Sequence, residues 1–295
     1  MDKHQLESES RTTGDALPEV DARFELSERL SVRSFLGVDR ETGADVVVKT
    51  IPISQVPGGA LMQLEYESAY RQQVSSPWLV SPIYVGRMND QLILASPFVT
   101  GTTLDSYLKR RKLTIVEGIR VGLALFSALR DLHEHGLLHR AVRPCHLVVN
   151  DELPLLTARL LDFGLPPTSL GSQERDAAGT LEAAHYISPE QAGSIDKDVT
   201  EPADLYSAGV TLFHCLAGRP PFTGSEIGAI LFEHMTTRPP KLRSLQIAVP
   251  RALDEVLQYL LRKDPQDRYQ TAAAVRMDLQ AILDGLERGE PDPPV

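Results

Sequence analysis

Between His139 and Gly164 the chain brings together side chains that can pair with anions, exchange protons and hold a metal. Arg140 and Arg143 are fixed cations, and His139 and His146 each bring an imidazole. Asp162 opens the turn Asp162-Phe163-Gly164 and offers the hard oxygen that Mg²⁺ prefers. The adjacent Cys145-His146 has the composition of a nucleophilic pair, but neighbouring residues rarely face each other productively. Cys145 therefore reads as a reduced thiol. The only other cysteine, Cys215, is far away and no C-x-x-C spacing exists, so neither a disulfide framework nor a zinc site is indicated.

These groups need a scaffold, and the pattern supplies one in two parts. From Phe24 apolar residues alternate, Arg40-Glu41-Thr42-Gly43 is a turn, and Asp45-Val46-Val47-Val48-Lys49 is a β-branched strand. Pro57-Gly58-Gly59 precedes a helical segment from Ala60 to Val74, closed by Ser76-Pro77. Leu79-Val80, Ile83-Tyr84-Val85 and Leu92 to Ala95 supply further strands. Beyond residue 100 the chain turns helical. Thr114 and Glu117 form a capping box, apolar residues follow at helical spacing from Ile115 to Leu132, and Gly136 closes that helix. Asp204–Leu216, Ala252–Arg262 and Thr271–Leu286 are three more helices. Residues 1–20 read as a disordered tail, 21–99 as a strand-rich lobe, 100–287 as a helical lobe, and 288–295 as a Pro-rich tail or linker.

At 295 residues the chain can bury one large core or two modest ones, and its formal charge of −10 argues against nucleic acid as a partner. Its one basic run, Lys109 to Lys112, reads as a solvated helix end. No apolar run approaches the roughly 20 residues of a membrane span, and no apolar signal core opens the sequence. The expected compartment is the cytoplasm.

The order of motifs resembles the protein kinase family, in its bacterial Ser/Thr form. His139-Arg140-Ala141-Val142-Arg143-Pro144-Cys145-His146 aligns with the family's catalytic loop H-R-D-x-K-P-x-N, and Asp162-Phe163-Gly164 with its metal-binding D-F-G. Lys49 ends a Val-Val-Val-Lys strand where the family's lysine holds the ATP α/β-phosphates, and Glu67 falls where a helix glutamate aligns it, with Glu65 the competing register. Ser96-Pro97-Phe98-Val99 resembles the hinge, where Pro97 C=O and Val99 N–H would meet adenine between Val148 and Leu161. Tyr186-Ile187-Ser188-Pro189-Glu190 resembles the end of an activation segment. Asp204 stands where an aspartate braces the catalytic loop, and Arg268 where an arginine pairs with Glu190.

The departures are as specific as the matches. Ala141 stands at the catalytic aspartate position and His146 at the metal-ligand asparagine position; His139, Arg140 and Arg143 are retained in type or charge. Ser31 and Arg33 replace glycines of the phosphate loop, with Leu36 or Gly37 at the third position, and Val47 narrows the adenine slot. The resemblance implies an α+β bilobal kinase-like fold, a small antiparallel sheet with one helix beside a larger helical lobe. It further implies a signalling or scaffold pseudokinase acting through protein partners, with weak ATP binding and one Mg²⁺ at Asp162. The alternative is an unconventional active Ser/Thr kinase.

Overall fold

The computed structural model describes residues 17–56, 58–150, 157–161, 177–193 and 196–294. The Asp162-Phe163-Gly164 turn and residues 1–16 of the expected tail lie outside the described residues. Strands β1 (Phe24–Arg29), β2 (Ser34–Asp39) and β3 (Asp45–Pro52) precede helix α1 (Gly58–Arg71), and β4 (Tyr84–Met88) and β5 (Gln91–Pro97) follow it. They form one antiparallel sheet in the order β1-β2-β3-β5-β4. Strand alternation sorts its side chains between two small cores. Val46, Val48, Ile93 and Ala95 pack with Phe24 on one face, while Leu92 and Leu94 meet Leu61 and Leu64 of α1 on the other.

Gly37 is not part of a phosphate-cradling turn. It lies inside β2 opposite Leu26, where a Cβ would stand 2.6 Å from the Glu25 carbonyl oxygen. Its smallness lets β1 and β2 approach at a bulge. The β1–β2 tip is the segment Leu30–Arg33, closed by Leu30 N–H donating to Ser34 C=O at 2.8 Å.

The second lobe begins at β6 (Thr102–Thr103) and α2 (Leu104–Arg110), then α3 (Ile115–His133), β7 (Leu147–Asn150) and β8 (Thr157–Leu160). The three short strands form a sheet in the order β6-β7-β8. Helices α4 (Ala177–Ala184), α5 (Glu201–Ala217), α6 (Ile227–Thr236), α7 (Arg251–Leu260) and α8 (Ala272–Glu287) complete it. The capping box starts α3: Glu117 N–H donates to Thr114 Oγ1 at 3.2 Å and Thr114 N–H to Glu117 Oε2 at 2.7 Å. Ile119, Phe126, Leu129 and Leu132 of α3 then join the main core with α5 and α8. At Gly118 a Cβ would lie 2.6 Å from Leu216, so that glycine permits the close α3–α5 contact.

Residues of the Pro-rich end, read as a tail or linker, touch the helical lobe. Glu290 N–H donates to Gly285 C=O at 2.9 Å, Pro293 is buried against Gly285, and Asp292 accepts from Arg251 N–H at the start of α7. The carboxylate satisfies one of the donors that every helix start leaves open. Among the described residues no helix is long and apolar enough to cross a membrane.

Candidate functional site

Asp204, in the first turn of α5, holds the loop after α3 by its backbone. Its Oδ2 accepts from His139 N–H at 2.7 Å and faces His133 Nε2 at 3.0 Å, and its Oδ1 accepts from Arg140 N–H at 2.7 Å. Burial pushes this carboxyl up, but the hydrogen bonds and charge of His133 and the His139 contacts outweigh it and hold it below the usual range. The grip supports an otherwise unfavourable backbone, since Arg140 has φ of 62°. His133 carried no signal at the sequence level; only packing brings α3 against α5.

Two imidazoles fix the rest of the loop. Ala141 N–H donates to His139 Nδ1 at 3.2 Å, so His139 Nε2–H donates to Leu161 C=O at 2.9 Å. His146 Nδ1–H donates to Ala141 C=O at 2.6 Å, leaving Nε2 to accept from Arg143 at 3.4 Å. His146 is thus a brace for the loop, and Arg143, expected to retain a phosphate-pairing charge, bonds to it. Ala141 brings no acid, and the carboxylate touching this loop from α5 is engaged by backbone N–H groups. Burial pushes the Cys145 thiol up to about 12, which removes it as a nucleophile.

Lys49 lies in β3, opposite Ser34 of β2 and Leu94 of β5. Glu67 is buried on the inner face of α1, and here the structure corrects the expected pairing with Lys49. Glu67 Oε1 accepts from Gln63 Nε2 at 2.7 Å and from Arg140 at 3.2 Å; its Oε2 accepts from Arg71 and, at 3.4 Å, from Arg140. The reason is local: Arg71 sits one helical turn along on the same face, and Asp204 presents Arg140 from below. Burial raises the Glu67 carboxyl, yet the Arg140 hydrogen bond and the Arg71 charge bring it below its ordinary range. Arg71, only 1% exposed, is a site residue that the sequence did not mark. Its signal was the i,i+4 spacing from Glu67.

At the junction of the lobes Pro97 ends β5 opposite Val46, and Phe98 N–H donates to Asp45 C=O at 2.9 Å. Among the described residues Val99 N–H makes no hydrogen bond. A cavity of about 220 Å³ opens beside it, lined by Phe98, Val99, Thr100, Val148 and Arg159 among others. Gly101 closes the other side: a Cβ there would stand 2.6 Å from both Val148 Cγ1 and Val149 O. A free N–H beside an apolar valine fits the edge of a heteroaromatic base. Asp162, the expected Mg²⁺ ligand, is outside the described residues, among which no cluster of three His, Cys, Asp or Glu side chains could hold a metal.

Farther from the cleft, Gly179 and Thr180 fall within α4, and Tyr186 to Glu190 lead from it toward α5. Arg268 meets Glu190 through two parallel hydrogen bonds of 2.6 and 2.9 Å. Gln191, also unforeseen, donates to Arg140 C=O at 2.9 Å and ties this segment to the loop.

A small sheet lobe with one helix, a hinge, a helical lobe and a loop braced from α5 define a bilobal kinase-like fold. The model of the protein kinase domain matches residues 31–279, and the chain belongs to the protein kinase family. Over 232 residues it is 28% identical to the probable serine/threonine-protein kinase PknB of Lactococcus lactis, covering 78% of this chain and 36% of that one. Over 220 residues it is 26% identical to the serine/threonine-protein kinase PrkC of Bacillus subtilis, covering 74% and 33%. The chain thus spans about a third of the length of these relatives. Its fold matches the crystal structure of the Mycobacterium tuberculosis PknI kinase domain with a TM-score of 0.72 at 22% identity, over 90% of this chain and 99% of that one. The family generally uses ATP and Mg²⁺.

Proposed function

We propose that this chain is a catalytically impaired kinase domain, a pseudokinase that works as a cytoplasmic signalling or scaffold module and binds ATP weakly. One observation carries the reading: at the position of the family's catalytic aspartate stands Ala141, whose carbonyl is bonded by His146. A methyl group cannot accept or orient a hydroxyl proton, and His146 is turned to the loop backbone. Lys49, Pro97, Val99, Val148 and Leu161 are assigned to the nucleotide, and Asp162 to a single Mg²⁺. Bound ATP–Mg²⁺ would supply an activated γ-phosphoryl group, and at the family's hydroxyl-orienting position this chain has Ala141 in place of an acid. The loop tip without glycines favours weak affinity. The free Cys145 and Cys215 are consistent with a reducing compartment. The relatives named serine/threonine-protein kinases support the second reading, an active kinase using Arg143, Asp162 and His146. Labelled ATP decides between them: the purified chain should transfer phosphate to itself or to generic acceptors at background rate. Robust incorporation abolished by Asp162→Ala would establish the active enzyme.

A further inference from the structure

The consecutive cations Lys109, Arg110, Arg111 and Lys112 end α2 and begin its connection to α3, and all of them are exposed. The connection is held at both ends. Arg111 Nε donates to the Tyr107 hydroxyl at 2.6 Å and its guanidinium lies over that ring at 5.1 Å. Arg111 also bonds the carboxylate of Glu117, the residue that closes the capping box of α3. Lys112 reaches across to the end of α5: a Cβ at Gly218 would stand 3.8 Å from its Cε, and the exposed Arg219 comes next in the chain. Two elements thus build one basic patch on a protein whose formal charge is −10.

Internal pairing leaves much of this charge open. Arg111 is taken by Glu117, and Lys109 stands 3.6 Å from Asp105 on its own helix. Among the described residues Arg110, Lys112 and Arg219 have no carboxylate partner. A helix C-terminus favours a cation, but cations crowded beyond that repel one another, and an anion relieves the repulsion. The patch exposes no large apolar side chain to enter a bilayer, and its Tyr107 ring, 2% exposed, cannot stack on a base. A protein segment rich in carboxylates is the anion that remains.

We propose that this patch docks an acidic peptide segment of a protein partner, with Arg110, Lys112 and Arg219 as the contacts and Arg111 as the post that holds the connection in place. The patch shares no residue with the nucleotide site assigned above, so the proposal stands whether or not ATP binds. A connection already fixed by Arg111 and the capping box lowers the cost of ordering on binding. The acidic remainder of the surface turns such a segment away elsewhere and so favours one landing place.

The probe is a dye-labelled peptide of alternating Glu and Gly, with its Gln–Gly counterpart, titrated by fluorescence anisotropy at low and at moderate salt. The Glu peptide should bind and the Gln peptide should not, and the affinity should fall as salt rises. Arg110→Glu, Lys112→Glu and Arg219→Glu together should weaken binding by about tenfold or more. Reversing the exposed cations Arg238, Lys241 and Arg243 makes the same change in net charge at another place and should alter affinity by less than about twofold. Glutamine at the three patch positions should weaken binding in the same direction, and it decides the matter if the charge-reversed chain does not fold. A Glu peptide that does not bind the parent at low salt overturns the docking. Equal loss in the patch variant and in the control variant overturns the site. Tighter binding to phosphatidylglycerol vesicles or to duplex DNA than to the peptide, lost in the patch variant, overturns the choice of partner.

Discussion

Arg268 and Glu190, far apart in sequence, close a two-pronged ion pair in which both side chains are fully buried, 0% exposed. The guanidinium also donates to the carbonyls of Pro202, Arg262 and Lys263, so every arm of the fork is engaged. The pair fastens the Tyr186–Glu190 segment to the start of α5 and the turn before α8. Removing one partner leaves the other charged and buried, at a cost of about 3–5 kcal/mol. Arg268→Ala should lower the melting temperature by several degrees. A melt within a degree of the parent would refute this anchoring role.

Loss of chemistry should be traceable to two positions. Restoring the family's residues with Ala141→Asp and His146→Asn should raise phosphotransfer by about a hundredfold or more over the parent, since such groups commonly contribute 10²–10⁴-fold. The readout is incorporation of labelled phosphate by equal amounts of each protein, with Asp162→Ala added to the restored chain as the control. Unchanged, background transfer in the double variant would place the defect elsewhere, most directly in the β1–β2 tip.

Nucleotide should act on this fold as a weak ligand. A dissociation constant of tens to hundreds of micromolar, about −5 to −6 kcal/mol, is expected. Millimolar Mg²⁺–ATP must then raise the melting temperature, because it binds only the folded state. Lys49→Ala should erase most of that gain. An unshifted parent would mean a docking domain with an empty cleft.

Acid should destabilise the helical lobe through two buried histidines. Tyr186 O–H donates to His214 Nδ1 at 2.7 Å, and Tyr206 O–H to His234 Nδ1 at 2.8 Å, so both rings are held neutral. Burial, with His185 nearby, pushes His214 down to about 4; burial, with Lys263, pushes His234 down to about 3. The unfolded chain therefore binds protons first, below the ordinary value near 6.5. Stability from these groups is complete above that value and declines toward pH 4, by about 1.4 kcal/mol per pH unit for each. Melting curves from pH 7 to 4 should show this slope, and His214→Gln with His234→Gln should flatten it. An unchanged slope in the double variant would point to other groups.

What the sequence determined was whatever depends on near neighbours or on an ordered series of motifs. Thr114 and Glu117 are three residues apart, so their capping box could be read directly, as could the strand Val46–Val48 and the stop at Gly136, which has φ of 68°. The motif order from Lys49 to Arg268 identified two lobes, and it marked Glu190 and Arg268 as partners, which the structure places in contact. Tertiary structure decided where the shared charges go. Glu67 had cationic candidates in both lobes, and its choice of Arg140 over Lys49 depends on how α1 sits above the loop. Arg71 is buried because the inner face of α1 meets that loop, and His146 became a brace because its ring reaches Ala141 C=O. Pro293 folds back because Gly285 leaves room for it. Periodicity records which face of an element is inward; a carboxylate's partner is set by distances of a few ångströms between segments that only the packed lobes bring together.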